Sequence, residues 1–141
     1  MHTELRHSNP LTALIVAFAL CLSGGLAVAA DLKLSGANEV PPVSTAASGT
    51  GKITVTDDGS VSGSVKVTGV AATMAHIHVG AAGKNGPVIV PLVQTVPGEW
   101  SVPAGAKLNA EQMKSYKAGE LYVNVHTEAN KGGEIRAQLK P

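Results

Sequence analysis

The stretch GKITVTDDGSVSGSVKV, residues 51–67, decides the fold class of this protein. Ile53 and Val55 alternate with polar residues before the Asp-Asp-Gly-Ser segment at residues 57–60, and valines alternate with polar residues after it. Alternation with a period of two is typical of a half-buried β-strand. An Asp-Gly pair between two such runs is typical of a hairpin turn. The stretch therefore predicts two antiparallel strands joined by a tight turn.

The same alternation recurs at residues 74–79, 121–126 and 135–139, and an apolar run at residues 88–92 follows a loop rich in Gly, Asn and Pro and predicts another strand. A turn at residues 128–133 separates the last two runs, so we expect them to form a second hairpin. Within the final run, Glu134 and Arg136 alternate with Ile135, and this pattern predicts that both charged side chains lie on an exposed polar face.

One segment departs from the strand pattern and is predicted to form a short helix. Asn109 is suited to cap its start, Gln112 stands three residues later as a capping box requires, and Gly119 supplies the stop. Together these signals predict an all-β fold, an antiparallel β-sandwich or Greek-key barrel with one short helix.

Composition limits the class of partner. The 141 residues carry a formal net charge of +1, and only 15% of them are charged. Such a chain has no basic field to follow a phosphate backbone, so no nucleic-acid partner is expected. Hydrophobic residues make up 44% of the chain and aromatic residues 3%, so the core must be built mainly from aliphatic side chains.

The first thirty residues are typical of a secretory signal peptide. Arg6 precedes an apolar run at residues 11–22, and small residues such as Ala27 and Ala29 follow it. The run has about 12 residues, fewer than the roughly 20 that a membrane-spanning helix needs. We therefore expect a signal peptide at residues 1–30, one domain at residues 31–141, no membrane span after cleavage, and a periplasmic or secreted protein. The single cysteine, Cys21, lies within the predicted signal, so no disulfide is expected.

Three histidines remain outside the predicted signal: His76, His78 and His126. Residues i and i+2 of a strand share a face, so His76 and His78 point the same way, opposite to the apolar residues of their strand. His126 likewise lies opposite to the apolar residues of its own strand. If the two strands are neighbours, three imidazoles converge, and this ligand set suits zinc or copper with a fourth position open.

Two further side chains are candidates for this site. Met74 shares the face of His76 and His78, and a thioether ligand favours copper, especially Cu⁺. Glu128 follows His126 by two residues and is a candidate oxygen ligand or hydrogen-bond acceptor. The alternative is that the histidines bond to loop backbone and brace the sheet, with Met74 filling a gap.

Three separated motifs together resemble the CHRD domain, which is named after chordin and also occurs as small secreted bacterial proteins. They are EVPPV at residues 39–43, HIHVG running to NGPV at residues 76–88, and LYVNVHT with GEIR at residues 121–136. The matching positions are Glu39, Pro41, Pro42, His76, His78, Gly86, Pro87, Asn124, His126, Glu134 and Arg136. The resemblance implies secretion and an all-β extracellular module, and it implies little about activity.

The expected function is a CHRD-type binding module that holds copper or zinc through the three histidines. The alternative is a structural domain, or one that binds an extracellular protein partner, without metal. A superoxide dismutase-like redox enzyme is less favoured. Its layout is similar, but three histidines are too few for its two metal sites and the disulfide is missing. The sequence thus favours a protein that is not an enzyme.

Overall fold

The computed structural model describes residues 29–141. The predicted signal peptide falls almost entirely outside the described residues, so both the cleavage and the domain boundary remain predictions. Within the described range, no helix is long and apolar enough to cross a membrane.

Nine strands and one α-helix make up the described chain, with a single 3₁₀ turn at Gly36–Asn38. The strands are β1 Ala30–Ser35, β2 Ser48–Val55, β3 Val61–Thr68, β4 Met74–Val79, β5 Val88–Pro91, β6 Val93–Val96, β7 Glu99–Ser101, β8 Leu121–His126 and β9 Ile135–Leu139. The helix α1 spans Ala110–Lys117.

All nine strands belong to one antiparallel sheet in the order β5-β4-β8-β9-β1-β2-β3-β7-β6. The two edge strands, β5 and β6, are consecutive in the chain and are separated only by Leu92. The Leu92 amide donates a hydrogen bond to the Ala75 carbonyl of β4. The sheet therefore curls into a nearly closed barrel, and the predicted all-β antiparallel fold is confirmed.

Both predicted hairpins are present. β2 and β3 pair from Ser48↔Thr68 to Val55↔Val61 around the turn at residues 57–60. In that turn, Gly59 has a φ of +86°. The Asp58 carboxylate accepts hydrogen bonds from Thr56 and Ser60, and these bonds hold its pKa well below the usual range. β8 and β9 pair from Leu121↔Leu139 to Val125↔Ile135.

The predicted helix is confirmed together with its cap. The Asn109 side chain accepts from the Gln112 amide, and the Gln112 side chain accepts from the Asn109 amide, each over 2.9 Å. This reciprocal pair satisfies two backbone donors that would otherwise have no partner at the first turn. Gly119, with a φ of +74°, follows the last turn.

Three strands were not predicted. β6 and β7 have only four and three residues, too few for alternation to stand out. β1 follows the predicted cleavage point directly, yet it pairs along its full length with β2 and touches β9 through Ser35↔Arg136. β1 therefore joins the two predicted hairpins into one sheet.

The core fills the inside of the curled sheet and is almost wholly aliphatic, as the composition predicts. Its most deeply buried members are Val65, Ala75, Ile77, Leu121, Val123, Val125 and Ile135. β8 differs from the other strands because every one of its six residues is buried, on both faces. Its outer face must therefore be covered by chain segments outside the sheet, and that outer face carries His126.

Candidate metal centre

The pairing of β4 with β8 brings the three histidines together. In the antiparallel register Met74 lies opposite His126, His76 opposite Asn124, and His78 opposite Tyr122. The adjacency of these strands, which the sequence left as an assumption, is confirmed. One nitrogen from each of the three imidazoles lies within 4.8 Å of the others.

The closest pair is His76 and His126. The Nδ1 atom of His76 lies 3.0 Å from the Nε2 atom of His126, and the two ring centroids are 4.8 Å apart. The ring of His78 lies 5.6 Å from that of His76 and 6.2 Å from that of His126, centroid to centroid. His78 and His126 are buried, whereas His76 is partly exposed.

Two backbone carbonyls fix the tautomers of the buried histidines. The Nδ1 atom of His78 lies 2.9 Å from the carbonyl oxygen of Gly86, and the Nδ1 atom of His126 lies 2.8 Å from that of Lys131. A carbonyl oxygen only accepts, so each Nδ1 carries the proton and each Nε2 presents its lone pair. Metal-binding histidines in proteins are commonly oriented in this way.

The loop at residues 80–87 can supply its carbonyl because residue 86 is a glycine. A Cβ atom at Gly86 would lie only 1.7 Å from the Val79 carbonyl oxygen, so no other residue allows this close approach. The Gly86 amide donates to the Tyr122 hydroxyl over 3.1 Å. The Tyr122 ring stacks on His78 at 4.7 Å with an interplanar angle of 3°. The His78 ring is therefore held both by its hydrogen bond and by stacking.

Burial favours the neutral forms of His76 and His78. Loss of solvation lowers the pKa of His76, and the neighbouring imidazoles of His126 and His78 lower it further. Loss of solvation is also the main cause that lowers the pKa of His78, although its bond to Gly86 acts in the opposite direction. Neutral imidazole is the form that binds a metal ion.

The Nε2 atom of His78 has no hydrogen-bond partner although it is buried. Buried polar atoms in proteins nearly always have a partner. The lone pair of this atom belongs to the same cluster as the nitrogens of His76 and His126. An unpartnered lone pair in such a cluster fits a site that takes a metal ion.

The two other predicted site residues, Met74 and Glu128, are both exposed, and only Met74 lies opposite a histidine. Met74 lies opposite His126 in the register, and its side chain is 45% exposed. Glu128 does not join the histidine cluster among the described residues. Its side chain is 83% exposed and pairs with Lys131 over 3.1 Å.

The prediction that Glu134 and Arg136 lie on an exposed face is wrong. Arg136 is 1% exposed and Glu134 is 4% exposed. The Arg136 guanidinium lies 3.4 Å from the centroid of the Tyr122 ring and donates to the carbonyls of Ala81 and Lys84. Alternation identified the outer face correctly, but loops fold over that face and bury it.

Glu134 ties two of these loops to the sheet. Its carboxylate accepts hydrogen bonds from Thr45, Thr127 and Asn130. The bond from Thr45 is the main cause that lowers the pKa of Glu134. The carboxylate is therefore ionised, and hydrogen bonds from three donors stabilise its charge.

The sequence did not predict the burial of Glu39 and Asn124, which are 4% and 2% exposed. Asn124 faces His76 across the strand pair. The only sequence signal for Glu39 was its place in the EVPPV motif at residues 39–43.

The comparison with protein families agrees with this arrangement. The model of the CHRD domain matches residues 31–139. The chain belongs to the CHRD domain family. No curated protein and no solved structure matches it. The match covers every strand that carries a histidine, and CHRD membership supports a binding module.

Proposed function

We propose that this CHRD protein is a secreted or periplasmic binding module that holds one copper or zinc ion through His76, His78 and His126. One observation carries the proposal: two carbonyl-fixed imidazoles present their Nε2 lone pairs beside the third histidine within a 4.8 Å cluster. Three neutral imidazoles are a common ligand set for both metals.

One pair of nitrogens is already close to the separation that a shared ion requires, within a cluster no wider than 4.8 Å. Two nitrogens that bind the same tetrahedral zinc lie about 3.3 Å apart, given bonds of about 2.0–2.1 Å. The His76 and His126 nitrogens are already 3.0 Å apart. The partly exposed His76 gives up its hydrogen bond to His126 and turns a lone pair toward the ion. Met74 is our candidate for an additional soft ligand, which favours Cu⁺ over Zn²⁺.

The alternative function is a domain without metal in which the histidines brace loops. A specific observation favours it: His78 and His126 already bond to the loops at residues 80–87 and 127–134. On this alternative the exposed surface serves an extracellular protein partner. It leaves the unpartnered Nε2 of His78 without a role.

Calorimetric titration of the purified protein with Zn²⁺, Cu²⁺ and Cu⁺ separates the two functions. The proposal expects one ion per chain, and expects His76→Ala, His78→Ala and His126→Ala each to weaken binding at least tenfold. Glu128→Gln is the matched control and is expected to leave binding unchanged. Glu128 is exposed and lies in the loop whose Lys131 carbonyl accepts a hydrogen bond from His126. Absence of binding, or binding that survives all three histidine substitutions, supports the bracing function instead.

A further inference from the structure

Three buried atoms without hydrogen-bond partners lie in one region of the described structure. They are the Nε2 atom of His78, the Oδ1 atom of Asn124 and the Oε1 atom of Glu39. Asn124 lies near both other residues, since its side chain lowers the pKa of Glu39 and raises that of His78. The His78 and Asn124 atoms are acceptors, and so is the Glu39 oxygen when its carboxyl is ionised, so in that state none of them satisfies another. A region with this many free lone pairs favours positive charge.

Glu39 is an acidic residue at a buried position, where its charge is expected to destabilise the fold. It follows the 3₁₀ turn Gly36–Asn38 and is 4% exposed. Its carboxylate lies directly over Gly133, where a Cβ atom would be 2.5–2.6 Å from both carboxylate oxygens. Burial raises the pKa of Glu39 to about 7, although the positive charge of Arg136 opposes this rise. A buried carboxylate without full compensation destabilises a fold.

Among the described residues, no neighbouring charged group forms a hydrogen bond or salt bridge with the Glu39 carboxylate. Arg136 directs its hydrogen bonds to Asn85, Gln138 and two backbone carbonyls, and none goes to Glu39. Glu134 is also negative, and it raises the pKa of Glu39 further. No salt bridge within residues 29–141 includes Glu39. Among the described residues, the Glu39 carboxylate therefore has the charge of Arg136 nearby but no direct ion pair.

We propose that Glu39 is a positioning residue of the three-histidine centre, which balances the charge of the bound ion and acts through the Asn124 amide. This inference rests on the proposed function. Three neutral imidazoles leave the full charge of the ion uncompensated, and the positive Arg136 adds to it near His78. The Glu134 carboxylate already accepts hydrogen bonds from three donors. Glu39 is the buried acid that retains an unpartnered oxygen facing this region.

Comparing a divalent with a monovalent ion distinguishes an electrostatic role of Glu39 from a purely structural one. The interaction between two charges is proportional to each of them. Removing the negative charge at position 39 must therefore cost a divalent ion about twice as much, on a logarithmic scale, as it costs a monovalent ion. A role confined to packing weakens both ions to the same extent.

The test compares Zn²⁺ with Cu⁺ in wild-type protein and in Glu39→Gln, by competition with a chelator at pH 8, without oxygen. At this pH the carboxyl is ionised with or without metal. We expect Zn²⁺ affinity to fall about tenfold, within the range for residues that support metal ligands, and Cu⁺ affinity to fall about threefold. Glu128→Gln removes an exposed negative charge and serves as the matched control. Glu39→Met is the second variant if Glu39→Gln does not fold.

The outcomes distinguish this inference from the function on which it rests. If wild-type protein binds neither ion, the proposed function fails. If wild-type protein binds and Glu39→Gln binds both ions equally well, or loses equal factors for both, the charge-balancing role is overturned while the metal site stands. A larger loss for Zn²⁺ than for Cu⁺, absent in Glu128→Gln, supports the role.

Discussion

The Nδ1 atom of His76 lies 3.0 Å from the Nε2 atom of His126, although 50 residues separate them in the chain. The contact exists because β4 and β8 pair in a register that places Met74 opposite His126 and His76 opposite Asn124. A one-residue slip would send the histidines to opposite faces of the sheet. The strand register therefore builds the candidate metal centre.

Replacing Glu39 with glutamine should stabilise the metal-free protein in a pH-dependent way. The folded state raises the pKa of Glu39 from 4.5 to about 7, so the folded protein holds this proton more tightly than the unfolded chain. The contribution of Glu39 to stability is fully present below pH 4.5 and is lost as the pH rises to 7. The gain from Glu39→Gln should therefore grow between pH 4.5 and 7 and level off above, reaching about 3 kcal/mol.

Urea unfolding of both proteins at several pH values, without metal, measures this difference. The depressed pKa values of His76 and His78 act in the opposite direction, since they reduce stability as the pH falls below 6.5. Comparing the two proteins at each pH cancels the histidine effect, because both contain the same histidines. A difference that is constant from pH 4.5 to 8 would show that burial does not perturb Glu39.

Met74→Leu should weaken Cu⁺ binding and leave Zn²⁺ binding unchanged, because leucine keeps the bulk of the side chain and removes the soft sulfur ligand. Since the Met74 side chain is 45% exposed, little loss of stability is expected. Met113→Leu in α1 is the control, because Met113 packs against the core near the turn at Gly59 and is not on a strand that carries a histidine. Equal Cu⁺ affinity in wild type and Met74→Leu would remove Met74 from the ligand set.

Arg136→Met should destabilise the protein by about 2–4 kcal/mol, since it removes a buried guanidinium whose hydrogen bonds hold the loop at residues 80–87. The guanidinium donates to the carbonyls of Ala81 and Lys84 and to the Asn85 side chain, and it stacks on Tyr122. Thermal unfolding measures the loss. Lys84→Met removes a surface charge from the same loop and is the control. An equally small effect of both substitutions would contradict the bracing role of Arg136.

Export should remove the first thirty residues, as the apolar run at residues 11–22 and the small residues after it predict. Intact-mass measurement of the exported protein should give a chain that begins near Ala29 to Asp31. A full-length mass in the exported fraction would refute the signal peptide.

Local signals allowed much of the fold to be predicted from the sequence. Alternation around Asp58 and Gly59 identified the first hairpin, and Asn109 with Gln112 identified the helix start, because each signal lies within a few residues of the structure that it determines. β6 and β7 were missed because their segments are too short to show a period.

The site itself was predicted only in part. His76 and His78 could be placed on one face from their spacing, but the neighbour of β4 depends on contacts distant in the chain. The burial of Glu39 and Arg136 could not be predicted, because alternation distinguishes two faces of a strand without showing which loops cover the outer one. The polar residues that surround the histidines therefore emerged only from the structure.

Diffraction from crystals grown with zinc or copper, recorded at the absorption edge of the metal, tests the central claim most directly. We expect one anomalous peak per chain, about 2.0–2.1 Å from a nitrogen of each of His76, His78 and His126 if the ion is zinc. A structure without a peak among the three imidazoles, or with metal only at surface carboxylates such as Asp57 and Asp58, would contradict it.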